Sequence, residues 1–147
     1  MMKYEKAIDI RWADLDPNFH VLHSKYLDFG AYCRMSFFTE HGITVPLMQE
    51  NHIGPIIFRE ECIYRSELKF GDAVVINLLL EKVTADYRKW SLTHEIWKNG
   101  DTLAALITVD GSWMDTALRK VTAPPPQFIT CFEAIPRAVN FQLIPKI

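Results

Sequence analysis

The 147-residue sequence predicts an α+β domain in which a curved antiparallel sheet wraps one long helix. Three observations predict it. Residues 24–41 carry Tyr26, Phe29, Gly30, Cys33 and Phe37 at helical spacing. After Gly54-Pro55 the hydrophobic period changes from about 3.6 to about 2 residues and stays there until Pro124-Pro125-Pro126. Between the last two of these alternating runs stands Asn99-Gly100, the strongest short hairpin signal.

Residues 4–12 open the chain with Tyr4, Ile8, Ile10 and Trp12 on one face and Glu5, Asp9 and Arg11 on the other, the pattern of a half-buried strand. Residues 13–23 form a polar loop holding Asp14, Asp16 and His20, with Pro17 and Asn18 as turn formers. Ser24 is the expected N-cap of the long helix and Gly42 its C-cap residue. Lys25, Asp28, Tyr32, Ser36, Thr39 and Glu40 make a narrow polar stripe. The apolar arc takes most of the rest, including Leu27, Ala31 and Phe38, so other structure should wrap this helix.

A short helix is expected at 44–51, with Pro46 near its start. Strands are expected at 56–68, 73–83, 88–98 and 101–114, the first two joined by a Lys69-Phe70-Gly71-Asp72 turn. The nearly continuous apolar run at 74–80 suits a central strand. A short helix at 127–134 and an extended tail should follow, giving a core of about residues 4–125 and a tail of 126–147.

Composition narrows the function. With 49% hydrophobic and 23% charged residues the chain lies in the globular range. A net charge of −2 and no basic block give nucleic-acid binding no support. Cys33, Cys62 and Cys131 are widely spaced and odd in number, which points to reduced thiols rather than a disulfide framework or a Cys-built zinc site. The first residues lack the apolar core of a signal peptide, and no apolar run approaches the roughly 20 residues that span a bilayer. The expectation is a cytoplasmic protein with no membrane segment.

Chemistry concentrates in the loop before the helix. A carboxylate there can cap the helix, or it can act beside the anion-stabilising N–H groups of the first turn. On the residues alone, Asp16 reads as a turn or cap residue. Asp14, two positions away in an extended loop, should point to the other side and bond the loop backbone. A metal site from His20, His23 and the two Asp residues has no matching ligand spacing. Cys33 lies on the apolar arc, where a free thiol is ordinary core. His52 and His94 carry no signal of their own.

The segment Asp14-Leu-Asp16-Pro-Asn-Phe-His20-Val21-Leu-His-Ser-Lys-Tyr26 resembles the D-x-D-x-x-x-H-V-x-x-x-x-Y signature of hotdog-fold thioesterases of the 4-hydroxybenzoyl-CoA thioesterase type. Gly71-Asp72 and Arg119-Lys120 resemble two further family marks, and the likeness covers about residues 4–125. Two positions depart from the pattern: Phe19 stands where the family often has Gly, and His23 where it often has Asn. Without Gly, the loop is expected to avoid a positive φ at residue 19.

The resemblance implies an acyl-CoA thioesterase with Asp16 as the catalytic carboxylate, attacking the carbonyl or activating water. The backbone N–H near His23 or Ser24 would hold the oxyanion. It implies that His20 orders the loop and that Tyr26 packs the helix start on the sheet. No cofactor is implied beyond the CoA that is part of the substrate. Arg88, Lys89, Arg119 and Lys120 are the candidate phosphate contacts, with Arg59 and Arg65 behind them. Phe29, Phe37, Phe58 and Trp90 are candidate acyl-pocket residues. The family's sheets pair across subunits, so a homodimer or tetramer is expected, with the site completed by the partner. Two other readings stay open: a hotdog dehydratase, against which the D-x-D segment argues, and a non-catalytic acyl-CoA- or partner-binding module.

Overall fold

The computed structural model describes residues 3–145 and has the α+β architecture that the sequence predicts. β1 (Glu5–Ile8) leads through one 3-10 turn, Trp12–Asp14, into α1 (His23–Glu40) and α2 (Val45–Asn51). The sheet continues with β2 (Ile53–Tyr64), β3 (Val74–Asn77), β4 (Leu79–Thr84), β5 (Lys89–Lys98), β6 (Thr102–Asp115) and β7 (Lys120–Val121). Then come α3 (Pro126–Glu133) and β8 (Arg137–Ile144).

Across the sheet β2 pairs with β6, β6 with β5, and β5 with both β3 and β4, which are one expected strand interrupted at Leu78. Outside them, β1 flanks β3 antiparallel and β8 flanks β4 parallel. The Asn99-Gly100 hairpin forms as expected, with φ of 55° and 79° at the two residues.

The first strand is shorter than the alternation suggests. Asp14 accepts hydrogen bonds from the Arg11 backbone N–H and guanidinium, both at 2.9 Å, and pulls the chain into the 3-10 turn. Trp12 therefore lies on the surface and not on the buried face with Ile8. The tail is more than extended: β8 takes a place in the sheet.

α1 buries Tyr26, Phe29, Gly30, Cys33, Arg34, Phe37 and Phe38, the i, i+3, i+4 stripe that its sequence spacing requires. Its start differs from expectation. The N-cap is Leu22, without a side-chain cap, and Ser24 stands exposed inside the first turn. Its end is a Schellman motif: Gly42 has φ +83°, its N–H donates to Thr39, and the Ile43 N–H donates to Phe38 at 2.8 Å.

At the C-terminal end of α1, Phe38 stacks on Phe132 of α3, and Trp113 meets Phe128 edge-on at 5.2 Å. α3 thus closes that end of the sheet with aromatic rings. Gly111 is required there. The Trp90 indole lies against it, opposite a register shift between Ile57 and Arg59 in β2.

The interior also holds a buried charge that hydrophobic periodicity does not reveal. Arg34, 6% exposed, lies along the glycine gap at Gly30 and donates from Nη1 to His94 Nε2 at 3.1 Å. His94 Nδ1 faces the Asn77 carbonyl at 2.7 Å, so Nδ1 carries the proton and the ring is neutral. Burial, and then the neighbouring guanidinium, push the His94 pKa down to about 3.

Two outcomes follow from this packing. A Cβ on Gly111 would meet Trp90 at 2.4 Å and the Ile56 carbonyl at 2.5 Å, and the carbonyl cannot move away freely. Gly111→Ala should therefore lower stability by about 1–3 kcal/mol in thermal unfolding. The depressed His94 pKa means the unfolded chain takes up a proton near pH 6.5 that the folded chain refuses until about 3. Stability should be complete above that range and fall as the pH drops, by up to about 1.4 kcal/mol per pH unit. Urea unfolding of wild type and His94→Gln between pH 7 and 4.5 checks this, with the steeper loss expected in the wild type.

Candidate active site

Residues 15–22 are a loop closed on itself and stitched to the sheet. The Asp16 N–H donates to the His20 carbonyl at 2.8 Å, and the Phe19 N–H donates to the Asp16 carbonyl at 2.9 Å. This closure places Phe19 at φ +63°, against the expectation that a residue without glycine's freedom would avoid positive φ. The hydrogen-bonded turn outweighs the steric cost, which is about 1–2 kcal/mol for a non-glycine residue. The Val21 N–H donates to the Leu68 carbonyl at 2.8 Å, and His20 Nε2 lies 3.0 Å from Glu67.

Within this loop the two aspartates point apart. Asp14 is buried against Arg11, with the Lys25 ammonium 3.9 Å away, and the Arg11 bond holds its carboxyl below the usual carboxylate range. Asp16 is half-buried, and its Oδ1 accepts from the Asn18 N–H at 2.9 Å and the His20 N–H at 3.2 Å. Among the described residues nothing donates to its Oδ2.

Asp16 lines a groove of about 350 Å³ with His20, Val21, His23, Tyr26, Tyr64 and the segment Arg65-Ser66-Glu67. Two tyrosines of the lining are held in place: the Tyr26 hydroxyl accepts the Leu68 N–H at 3.3 Å, and Tyr64 packs edge-on against Tyr26 at 4.9 Å. The Tyr64 hydroxyl donates to the His23 carbonyl at 3.1 Å. Because Leu22 caps without a side-chain bond, the His23 and Ser24 backbone N–H groups donate to nothing among the described residues. The groove thus joins two carboxylates, Asp16 and Glu67, two imidazoles, His20 and His23, and the open N-terminus of an 18-residue helix.

Of the predicted residues, the fold brings Asp16, His20, His23, Ser24 and Tyr26 to this end of α1. It does not bring Arg88, Lys89, Arg119 and Lys120 there within one chain. Lys98, at the near end of β5, bonds the Glu67 carbonyl, whereas Lys89 opens the far end, on the order of 30 Å along the strand. Arg119 and Lys120 lie at that far end too, where Lys120 pairs with Asp115. Of the cations weighed, Arg65 alone lines the groove. Phe37 and Trp90 are packed in the core, and Phe58 is on the surface at the β2 irregularity. Tyr64, Ser66 and Glu67 went unseen because a strand end has no pattern that says which loop it will face.

The comparisons agree with this fold. No curated protein matches the chain by sequence. Among solved structures, a Staphylococcus aureus protein in complex with CoA superposes with a TM-score of 0.83 at 20% identity, covering 99% of this chain and 88% of that one. A 1,4-dihydroxy-2-naphthoyl-CoA thioesterase from Synechocystis gives 0.80 at 14% identity, covering 90% and 97%. A DHNA-CoA thioesterase from Staphylococcus aureus gives 0.80 at 15%, covering 90% of each chain. The family model of the thioesterase-like superfamily matches residues 10–132, from just after β1 into α3, and the chain belongs to that superfamily.

Proposed function

We propose that this chain hydrolyses acyl-CoA thioesters, with the Asp16 carboxylate attacking the carbonyl carbon or taking a proton from the attacking water. One observation supports the reading: Asp16 lines one groove with His23, the first residue of α1, whose backbone N–H donates to nothing among the described residues. A thioester carbonyl set between them has its carbon toward the carboxylate and its oxygen toward N–H groups. Those groups stabilise the negative charge as it develops. The two loop amides on Oδ1 hold the carboxylate in place, while Oδ2 is left to react. His20, paired with Glu67, holds the loop in register and takes no step of its own. CoA is the leaving thiol, consistent with the CoA-bound structural neighbour.

The dispersed cations bear on assembly. β2 is a 12-residue edge strand with Ile57, Phe58, Ile63 and Tyr64 exposed. A two-fold antiparallel pairing through this edge sets the Ile53 end of one copy beside the Tyr64 end of the other. Ile53 pairs with Asp115, so Arg119 and Lys120 would then approach the partner copy's groove, where the coenzyme phosphates need cations. The working form in this reading is a dimer, or a tetramer of dimers.

A second reading also has an observation behind it. The bonds from the loop to Oδ1 are those of a structural aspartate, as a non-catalytic acyl-CoA-binding module would keep.

Thiol release from short, long and aromatic acyl-CoAs, read with a chromogenic thiol reagent, separates the two. Asp16→Asn is the informative variant, because its amide oxygen can still accept the Asn18 and His20 N–H groups. Turnover by the wild type, reduced about 10²-fold or more in Asp16→Asn at unchanged melting temperature, is the expected result. No turnover of any thioester, with CoA still bound, would leave the binding module.

A further inference from the structure

Three aromatic side chains stand exposed together on the outer side of the Asp16–His20 loop: Trp12 at 69%, Phe19 at 66% and Phe70 at 59%. They come from three separate segments and meet around the indole. Phe19 lies 6.3 Å from Trp12, tilted by 43°, and Phe70 lies 6.2 Å away, nearly perpendicular. Ordinary surface aromatics occur singly; a touching group of three beside a candidate active site is a patch with a purpose.

Its placement is costly. Phe19 holds φ +63°, a conformation that glycine adopts freely and a phenyl-bearing residue does not. The side chain at that position gains no burial in return. Strain retained for an exposed ring points to contact with something outside the chain. The loop is rigid as well, since the bridge from His20 to Lys69 fastens it to the turn carrying Phe70.

The charges around the rings indicate what that contact is. Arg11 is committed to Asp14 at 2.9 Å, with Lys25 3.9 Å from the same carboxylate, and Lys69 lies 3.3 Å from Glu67. Arg11 and Lys69 stay 69% and 58% exposed in these pairs, so the patch offers flat aromatic faces with accessible cations at its rim, which the phosphates of a nucleotide need. A planar heteroaromatic ring suits it, and stacking on exposed rings tolerates the polar edge of a base that a closed pocket would have to satisfy.

We propose that Trp12, Phe19 and Phe70 form a stacking platform for the adenine base of the coenzyme thioester, whose acyl carbonyl occupies the Asp16 groove. The assignment rests on the acyl-CoA reading above and adds the residues that grip the nucleotide. The pantetheine arm then crosses the Asp16–His20 loop, with the reacting carbonyl on one side and the base on the other. Phe19, which departs from the family's usual glycine, becomes a side chain that discriminates the coenzyme thioester from thioesters lacking a nucleotide.

The test compares one acyl group presented as its CoA thioester and as its pantetheine thioester, which lacks the nucleotide. The KM ratio of the two is measured in wild type, Trp12→Ala and Phe19→Gly, beside binding of adenosine 3′,5′-bisphosphate by equilibrium dialysis. Loss of base stacking should raise the Kd for the bisphosphate and the KM for the CoA thioester about 5- to 150-fold in Trp12→Ala, with a much smaller change for the pantetheine thioester. Phe19→Gly should shift both in the same direction while melting no lower than wild type, a combination that damage to the fold does not give. Equal KM changes for both thioesters, or no bisphosphate binding by the wild type, would overturn the platform. So would a variant that changed only the sedimentation coefficient, which would make the patch an interface between copies. A chain that hydrolysed no thioester yet bound the bisphosphate through Trp12 would keep the platform and overturn the hydrolase reading.

Discussion

The geometry of the site depends on one residue of the β2–β3 connection. Leu68 is fully buried, and both of its backbone groups are committed to the other side of the molecule: its carbonyl accepts from Val21 and its N–H donates to the Tyr26 hydroxyl. These two bonds clamp the last residue pair before α1 and the first turn of the helix itself to the end of the sheet. With the clamp made, the 3-10 turn, the closed Asp16 loop and the groove wall from Tyr64 to Glu67 have only one arrangement left. The open start of α1 is thereby set beside the groove that Asp16 and His23 line.

The two ends of α1 are built on different principles, and the division suits catalysis. The C-terminal end is packed with Phe38, Trp113, Phe128 and Phe132, an apolar plug in which every ring excludes water. The N-terminal end is held by hydrogen bonds and is open. Between them lies the Arg34–His94 pair. A buried guanidinium has a large desolvation cost, and a neutral imidazole answers it with a single acceptor. Its contribution is orientation: the pair fixes the rotation of α1 over β5, because any slide along the helix axis would strand both groups.

How much of this was legible in the sequence varied with the kind of signal. The long helix, the hairpin at Asn99-Gly100 and the succession of strands were legible, since each rests on local periodicity or turn chemistry. The opposite directions of the Asp14 and Asp16 side chains followed from their spacing in an extended loop. Other features depend on distant partners. Phe19 was expected to avoid a positive φ, but the hydrogen bonds that close the loop hold it there. Ser24 has the composition of a cap, but the bend at Leu22 sets the cap two residues earlier. Arg34 interrupts an apolar stripe, and nothing nearby in sequence announces that His94, sixty residues on, is its acceptor. The candidate phosphate contacts were grouped by residue type, whereas the length of β5 separates them from Asp16.

The parallel pairing of β8 with β4 bears on the order in which the molecule can be completed. β4 has β5 on one side, and its other edge is covered only when Leu143 and Ile144 come alongside Val83 and Thr84. α3, which supplies Phe128 and Phe132 to the plug, is also made late. A chain emerging from the ribosome thus has its helix, its reactive loop and most of its sheet before it has either the lid on the core or the cover on β4. Until then the nascent protein exposes the β4 edge and an aromatic interior. Residues 126–144, which contribute nothing to the groove, are the part that makes the rest safe to release.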